Sequence, residues 1–133
     1  MSTSTSETLT STKLVVEDLE KSAAFYCEAY GLEQKGRIQA DIGGEAIDEI
    51  FLGRPGEQGV PLMVMKYLDR PAPPTGEVML VFMTQDIEAL CERVVRAGGS
   101  VYVPPYQSEA TPVTAAFTKD PEGHVSENVQ LPG

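Results

Sequence analysis

Positive charge is scarce in this chain. Lys and Arg number 10 against 20 Asp and Glu in 133 residues, a net charge of −10. That field repels phosphate, so neither nucleic-acid binding by phosphate neutralisation nor docking on an anionic membrane is expected. The excess of carboxylates serves solubility. Cysteine is nearly absent: Cys27 and Cys91 are too few for a disulfide framework. Both fall in stretches of helical spacing and read as small buried hydrophobes. No apolar run approaches the roughly 18 residues of a membrane span. Met1 to Thr10 are almost all Ser and Thr, without the basic start and apolar run of a signal peptide. A disordered tail over 1–10 on a cytoplasmic protein is the expectation.

What is present suffices for one domain. Hydrophobic residues make up 41% of the chain, enough for a core at this length. The strongest organising signal is an internal repeat. A short strand, Lys13 to Val16, runs into Asp18, a helix to about Tyr30, then Gly31. A second strand, Met79 to Met83, runs into Asp86, a helix to about Ala97, then Gly98 and Gly99. Asp18 and Asp86, Ala29 and Ala97, and Gly31 and Gly99 all stand 68 positions apart. The aspartates are N-caps, accepting backbone N–H bonds. Leu19, Ala23, Tyr26 and Ala29 in one helix, and Ile87, Leu90, Val94 and Ala97 in the other, keep the i, i+3, i+4 spacing of a buried stripe. The glycines are stop signals.

Strand-like runs follow each helix: 37–42, 46–52 and 61–68 in the first half, 100–103, 113–118 and 125–131 in the second. Arg54-Pro55-Gly56 and Asp120-Pro121-Glu122-Gly123 are the turns before each last strand. Between the halves, Pro71, Pro73 and Pro74 exclude helix and central strand, so 69–77 reads as a semi-rigid linker. The reading is two modules, 11–68 and 78–131, within one structural domain over 11–131. An irregular stretch, 104–112, holds Tyr106 and is expected to be a lid or binding loop.

The opening Leu14-Val15-Val16-Glu17-Asp18-Leu19-Glu20-Lys21-Ser22, with Phe25-Tyr26 and Gly31-Leu32, resembles the start of a vicinal-oxygen-chelate module. Asp120-Pro121-Glu122-Gly123-His124, with Glu127, resembles its closing hairpin. The resemblance implies an α+β fold of two βαβββ modules forming a cup-shaped mixed sheet, glyoxalase-like, often closed between two subunits around a small molecule. The superfamily includes glyoxalases, extradiol dioxygenases, epimerases and bleomycin-binding proteins, and most of its enzymes hold a divalent metal. The implied ligands lie on the first and last strand of each module. Those first-strand positions are Ser11 and Met79, and Leu62 to Tyr67 contains no Asp, Glu or His. Only Glu127 matches, with Glu49 as a conceivable substitute from the neighbouring strand. One carboxylate is not a metal site, so no metal or other cofactor is expected. The position of His124, the only histidine, is one that usually faces solvent in this family.

Side chains alternate along a strand. Leu14 and Val16 are expected to face the helix, and Ser11, Lys13 and Val15 the cup. Leu80 and Phe82 face the helix, and Met79, Val81 and Met83 the cup. Glu127 joins the cup with Val125 and Val129, and either Met63 and Met65 or their alternates do so as well. Ser126 and Asn128, where apolar residues are usual, weaken the case for a well-buried helix side. The implied pocket is apolar and rich in methionine, suited to a hydrophobic or aromatic small molecule. Its polar points are Lys13 and Glu127, expected near each other. A carboxylate desolvated among valines and methionines is a usable general base. Lys13 or Tyr67 would stabilise the enolate formed beside a carbonyl. The expected function is a metal-independent lyase or isomerase acting on an apolar carbonyl compound, in a homodimer. The alternatives are a binding protein that sequesters a hydrophobic molecule, as bleomycin-resistance proteins do, and a metal-dependent glyoxalase or dioxygenase with altered ligands.

Overall fold

The computed structural model describes residues 6–133. The expected disordered tail lies partly outside the described residues, and 6–10 carry neither helix nor strand and are exposed. The first half of the chain forms β1 (Thr12–Val15), α1 (Leu19–Tyr30), β2 (Glu33–Ile42), β3 (Glu45–Gly53) and β4 (Leu62–Tyr67). The second forms β5 (Leu80–Met83), α2 (Ile87–Arg96), β6 (Ser100–Gln107), β7 (Thr114–Lys119) and β8 (Val125–Gln130). Each half makes a four-stranded mixed sheet, ordered β1-β4-β3-β2 and β5-β8-β7-β6. In both, the first strand runs parallel to the last and the remaining pairs are antiparallel. No described helix is long and apolar enough to cross a membrane.

The helices start and stop where the chain's chemistry requires. Asp18 and Asp86 are extended, and their carboxylates accept from the N–H of Lys21 and Ala89, each at 3.1 Å. Gly31 ends α1 in the left-handed region at φ 71°, its N–H bonded to the Cys27 carbonyl. Leu19, Ser22, Ala23, Phe25, Tyr26 and Ala29 form the buried stripe of α1, and Ile87, Leu90, Cys91 and Val94 that of α2.

One hydrophobic core spans both halves. Leu90 and Val94 of α2 pack into the same cluster as Leu14, Phe25, Tyr26, Ile50 and Val64, with Leu80 and Phe82 against it. Each such side chain, fully buried, stabilises the fold by about 1.5–3 kcal/mol. The Tyr30 ring stacks on Phe82 with centroids 3.8 Å apart, and Arg93 Nε donates to the Ala29 carbonyl at 3.0 Å. Gly99 sits at this seam for reasons of space. A Cβ there would overlap the Lys119 carbonyl oxygen and stand 2.6 Å from the Phe25 ring. Gly99→Ala is expected to destabilise by about 1–3 kcal/mol through overpacking. Gly59→Ala, whose Cβ would meet nothing within 4 Å, should stay within about 0.5 kcal/mol. Urea midpoints of the two variants check the contrast.

Several sequence expectations are corrected. Strand β2 begins at Glu33, not Arg37, and passes a register shift between Gln34 and Gly36. The stretch expected to be irregular from 104 is strand as far as Gln107, because β6 is an edge strand and tolerates Pro104 and Pro105. Tyr106 is therefore a strand residue, paired with Ala115. His124 is not at the surface. It is 8% exposed, with Nδ1 2.8 Å from Asp120 Oδ2. Ser126 and Asn128 do not mark a poorly buried face, since both are buried on the helix side of β8. Asn128 is satisfied by Tyr30 Oη at 3.0 Å, Thr118 Oγ1 at 3.0 Å and the Ala116 carbonyl at 3.3 Å.

Candidate functional site

Strand register decides which side chains share a face, because residues paired across a ladder point the same way. Leu14, Val64 and Ile50 pair across β1, β4 and β3 and enter the core. The helix-free face is therefore made by their alternates. Lys13 lies beside Met63, Val15 beside Met65, Met65 beside Glu49, and Glu49 beside Ile38. The phase of β4, ambiguous from sequence, places Met63 and Met65 on this face. In the second sheet Val81 lies beside Glu127, Glu127 beside Phe117, and Phe117 beside Val103. Met83 lies beside Val129, and Val129 beside Ala115. The helix-free faces are the ones that the family resemblance makes the inside of a cup.

Two carboxylates lie on these faces in different surroundings. Glu49 is 3% exposed and accepts from Lys13 Nζ at 3.0 Å. Lys13 itself is nearly half exposed, so its ammonium is anchored at one side and open at the other. The expected pairing of Lys13 with Glu127 is corrected, because Glu49 reaches the ammonium from within the same sheet. Glu127 is half-buried between Val81 and Phe117, with Val125 and Val129 along its own strand. No described residue forms an ion pair with it.

The remaining sequence candidates are dispersed. Ser11 donates its hydroxyl to the Val60 carbonyl, just ahead of β1. Tyr67 carries the Arg70 guanidinium 3.5 Å above its ring, and Arg70 is held by Glu45 at 2.6 Å. That places Tyr67 at the linker end of β4. Met79, Val81 and Met83 are 51%, 64% and 69% exposed and form an open apolar strip along the edge strand β5 and the residue before it. Tyr106 is also exposed. A cleft of about 280 Å³ lies between Thr12, Pro61 and Leu62 on one side and Met79 to Phe82 on the other. A second, of about 160 Å³, is lined by Lys13, Val15, the linker and His124. Glu127 lines neither. Sequence reasoning missed Phe117 and Ile38, which join these faces only through cross-strand register. The seam network of Tyr26, Asp120 and His124 was also missed. Its one sequence signal is the i, i+4 spacing of Asp120 and His124 in the turn.

Two βαβββ modules with paired mixed sheets, helices on one side and side chains aimed from the other, define the vicinal-oxygen-chelate class of fold. The chain belongs to the Glyoxalase/Bleomycin resistance protein/Dioxygenase superfamily, whose family model matches residues 8–127. It is 30% identical over 118 residues to the lactoylglutathione lyase GLX1 of Arabidopsis thaliana, covering 86% of this chain and 41% of that protein. It therefore spans less than half of that relative. A probable lactoylglutathione lyase of Synechocystis is 25% identical over 120 residues, covering 90% of this chain and 92% of that one. Among solved structures, a glyoxalase family protein from Bacillus cereus matches with a TM-score of 0.81 at 18% identity, covering 100% of this chain and 99% of that one. The E144Q mutant of glyoxalase I from Zea mays matches at 0.74 and 23% identity, covering 92% of this chain and 46% of that one.

The donor set does not fit the divalent metal common in this superfamily. Register makes Met63 the counterpart in β4 of Glu127 in β8, since Lys13 and Val81, 68 positions apart, pair with them. The four corresponding positions are thus Ser11, Met63, Met79 and Glu127, and only the last offers a hard anionic donor. Glu49, the next carboxylate, is already neutralised by Lys13. No three His, Cys, Asp or Glu side chains gather among the described residues in a way that would hold a metal ion.

Proposed function

We propose that this protein is a metal-independent lyase or isomerase that binds a small apolar carbonyl compound between the two helix-free sheet faces. The observation that carries the reading is Glu127, an unpaired carboxylate flanked by Val81 and Phe117. In that setting it takes a proton from the carbon next to a carbonyl. The C–H electron pair becomes the new C=C bond of an enolate, and charge moves to the carbonyl oxygen. Returning the proton elsewhere gives isomerisation, and expelling a group from the next carbon gives elimination. Lys13, anchored on Glu49 with its other N–H groups free, supplies the positive donor for the enolate oxygen. That requires the two sheet faces to meet, and a second copy of the chain covering the exposed Met79, Val81 and Met83 strip would bring them together. The reading is therefore a homodimer, placed in the cytoplasm. The relatives named as lyases support the reaction class, but the substrate is not carried over at their 25–30% identity.

A second reading has its own support. Lys13 and Glu127 share neither of the clefts beside β1 and β5, and the β5 strip is apolar. This suits sequestration of a hydrophobic molecule without turnover. One experiment separates the two. The purified protein is analysed by native mass spectrometry with metal analysis, then incubated with a panel of apolar aldehydes and ketones in D2O. Deuterium incorporation beside the carbonyl, unchanged after dialysis against a chelator, is the expected result. Exchange lost with a stoichiometric metal would refute the metal-free mechanism. A co-purified apolar molecule with no exchange on any carbonyl would establish sequestration instead.

A further inference from the structure

One side chain of the first module reaches three strands of the second, and it stands directly behind Glu127. Tyr30 is the last residue of α1. Its ring stacks on Phe82 of β5 with centroids 3.8 Å apart. Its hydroxyl meets Thr118 Oγ1 of β7 at 2.9 Å and Asn128 Oδ1 of β8 at 3.0 Å. On the helix-free face, Val81, Glu127 and Phe117 form one in-register row across β5, β8 and β7. Phe82, Asn128 and Thr118 each follow one member of that row in sequence, so they point to the opposite face. We propose that Tyr30 is a positioning residue for Glu127: from the first module it holds the row that carries the base at a fixed place relative to Lys13. The proposal rests on the reading of Glu127 as the general base.

The hydrogen bonds around the hydroxyl admit one arrangement. The Ala116 carbonyl can only accept, so the Asn128 amide nitrogen is the group that meets it, at 3.3 Å. That nitrogen also donates to Thr118 Oγ1 at 3.0 Å. The amide oxygen is left to accept from Tyr30 Oη, and the Thr118 hydroxyl donates to Tyr30 Oη in turn. The three side chains thus close a ring in which each donates once and accepts once. Asn128 and Thr118 are buried, so a missing member leaves its neighbours unsatisfied, and a fully satisfied ring is rigid. The other end of α1's span is fixed as well. Lys13 precedes Leu14 and Glu49 precedes Ile50, and both Leu14 and Ile50 lie in the core cluster with Phe25 and Tyr26 of α1. One helix therefore backs the donor in the first sheet and the base in the second. Strand pairing decides which face Glu127 occupies. It does not set how far that face stands from Lys13, because no ladder joins the two sheets among the described residues. Tyr26 also crosses the seam, but its hydroxyl bonds Asp120 in the β7–β8 turn at 2.8 Å, away from that row.

Tyr30→Phe keeps the aromatic ring and removes the hydroxyl. Residual dipolar couplings of the backbone N–H groups, measured on the intact protein, compare the orientation of the sheet of β5 to β8 with that of β1 to β4. The expected result is a changed orientation between the sheets, with the couplings inside each sheet preserved. For the carbonyl compound of the D2O panel that wild type exchanges, kcat should fall about 10–100-fold with KM little changed, the effect of displacing a catalytic group by about 1 Å. In a Glu127→Gln background the same change should cost nothing more, because both act through one group. Tyr26→Phe should lower stability yet keep kcat. An unchanged sheet orientation overturns the proposal. So does an unchanged kcat, a loss that multiplies in the double variant, or an equal kcat loss in Tyr26→Phe. If wild type exchanges no carbonyl, the reading of Glu127 as base fails, and the couplings alone decide whether Tyr30 holds its row. If Tyr30→Phe does not fold, Thr118→Val breaks the same ring from the second module and is measured against the same expected results.

Discussion

Asp120→Ala is expected to lower stability by about 3–5 kcal/mol, the cost of breaking a buried charged network by removing one member. The carboxylate is 5% exposed and accepts four hydrogen bonds. Two come from the turn itself, the N–H of Glu122 and of His124, each at 2.9 Å. Two come from side chains, Tyr26 Oη and His124 Nδ1, each at 2.8 Å. Truncation leaves the Tyr26 hydroxyl, on a residue with no exposed surface, without its partner inside the core. It also frees the His124 ring and the turn amides of Glu122 and His124. Asp120→Asn keeps an acceptor and the volume and should cost less than half as much. The acid limb of the stability curve checks the same group. Burial alone would raise the Asp120 pKa, but bonding and attraction to His124, then the Tyr26 bond, outweigh it and hold it below the ordinary carboxylate value. A depressed value contributes stability at pH above about 3.9 that is lost as pH falls through the folded-state value. Urea unfolding at pH 7 and pH 3 should therefore show the variant's deficit shrinking in acid. A deficit under about 1 kcal/mol at pH 7 would mean that the Asp120 network adds little to the apolar contacts and the other hydrogen bonds of the seam.

How far the sequence reaches is clear from individual residues. The helices were legible because their starts, stripes and stops are local: Asp18 and Asp86 cap, and Gly31 and Gly98 turn left-handed. The alternation that put Leu14 and Val16 on one face and Lys13 on the other is equally local. Partners across the seam are not. Asn128 and Ser126 read as an interruption of an apolar face because the groups that satisfy Asn128 include Tyr30, 98 positions away. His124 read as exposed for the same reason, since the cleft it lines is shared with β1 and the linker. Within the site, Lys13 was placed on the right face but given the wrong partner. Choosing Glu49 requires knowing that β4 lies between β1 and β3 and that Met65 sits beside Glu49. Prolines in β6 masked an edge strand because only sheet order says which strands are edges.

Glu127→Gln should reduce turnover of a carbonyl substrate by about 10²–10⁴-fold, the range for loss of a positioned general base. The amide keeps the size and hydrogen-bonding reach of the side chain but cannot accept the proton. Ligand affinity should then change little, and the loss should fall in kcat rather than in KM. Glu127→Asp, with a carboxylate drawn back by one methylene, should retain partial activity. Stability should be nearly unaffected by either change, because Glu127 holds no ion pair and is only half-buried. This separates Glu127 from Glu49, whose replacement by Gln would release Lys13 and lower activity by misplacing the donor for the enolate oxygen. A protein that sequesters its ligand behaves differently. There Glu127→Gln would leave a zero rate unchanged and would strengthen the binding of an apolar molecule, since the ligand no longer has to desolvate a carboxylate as it binds. Equal turnover in wild type and Glu127→Gln would assign the proton transfer to another group on the same faces, and Glu49 is the other carboxylate described there.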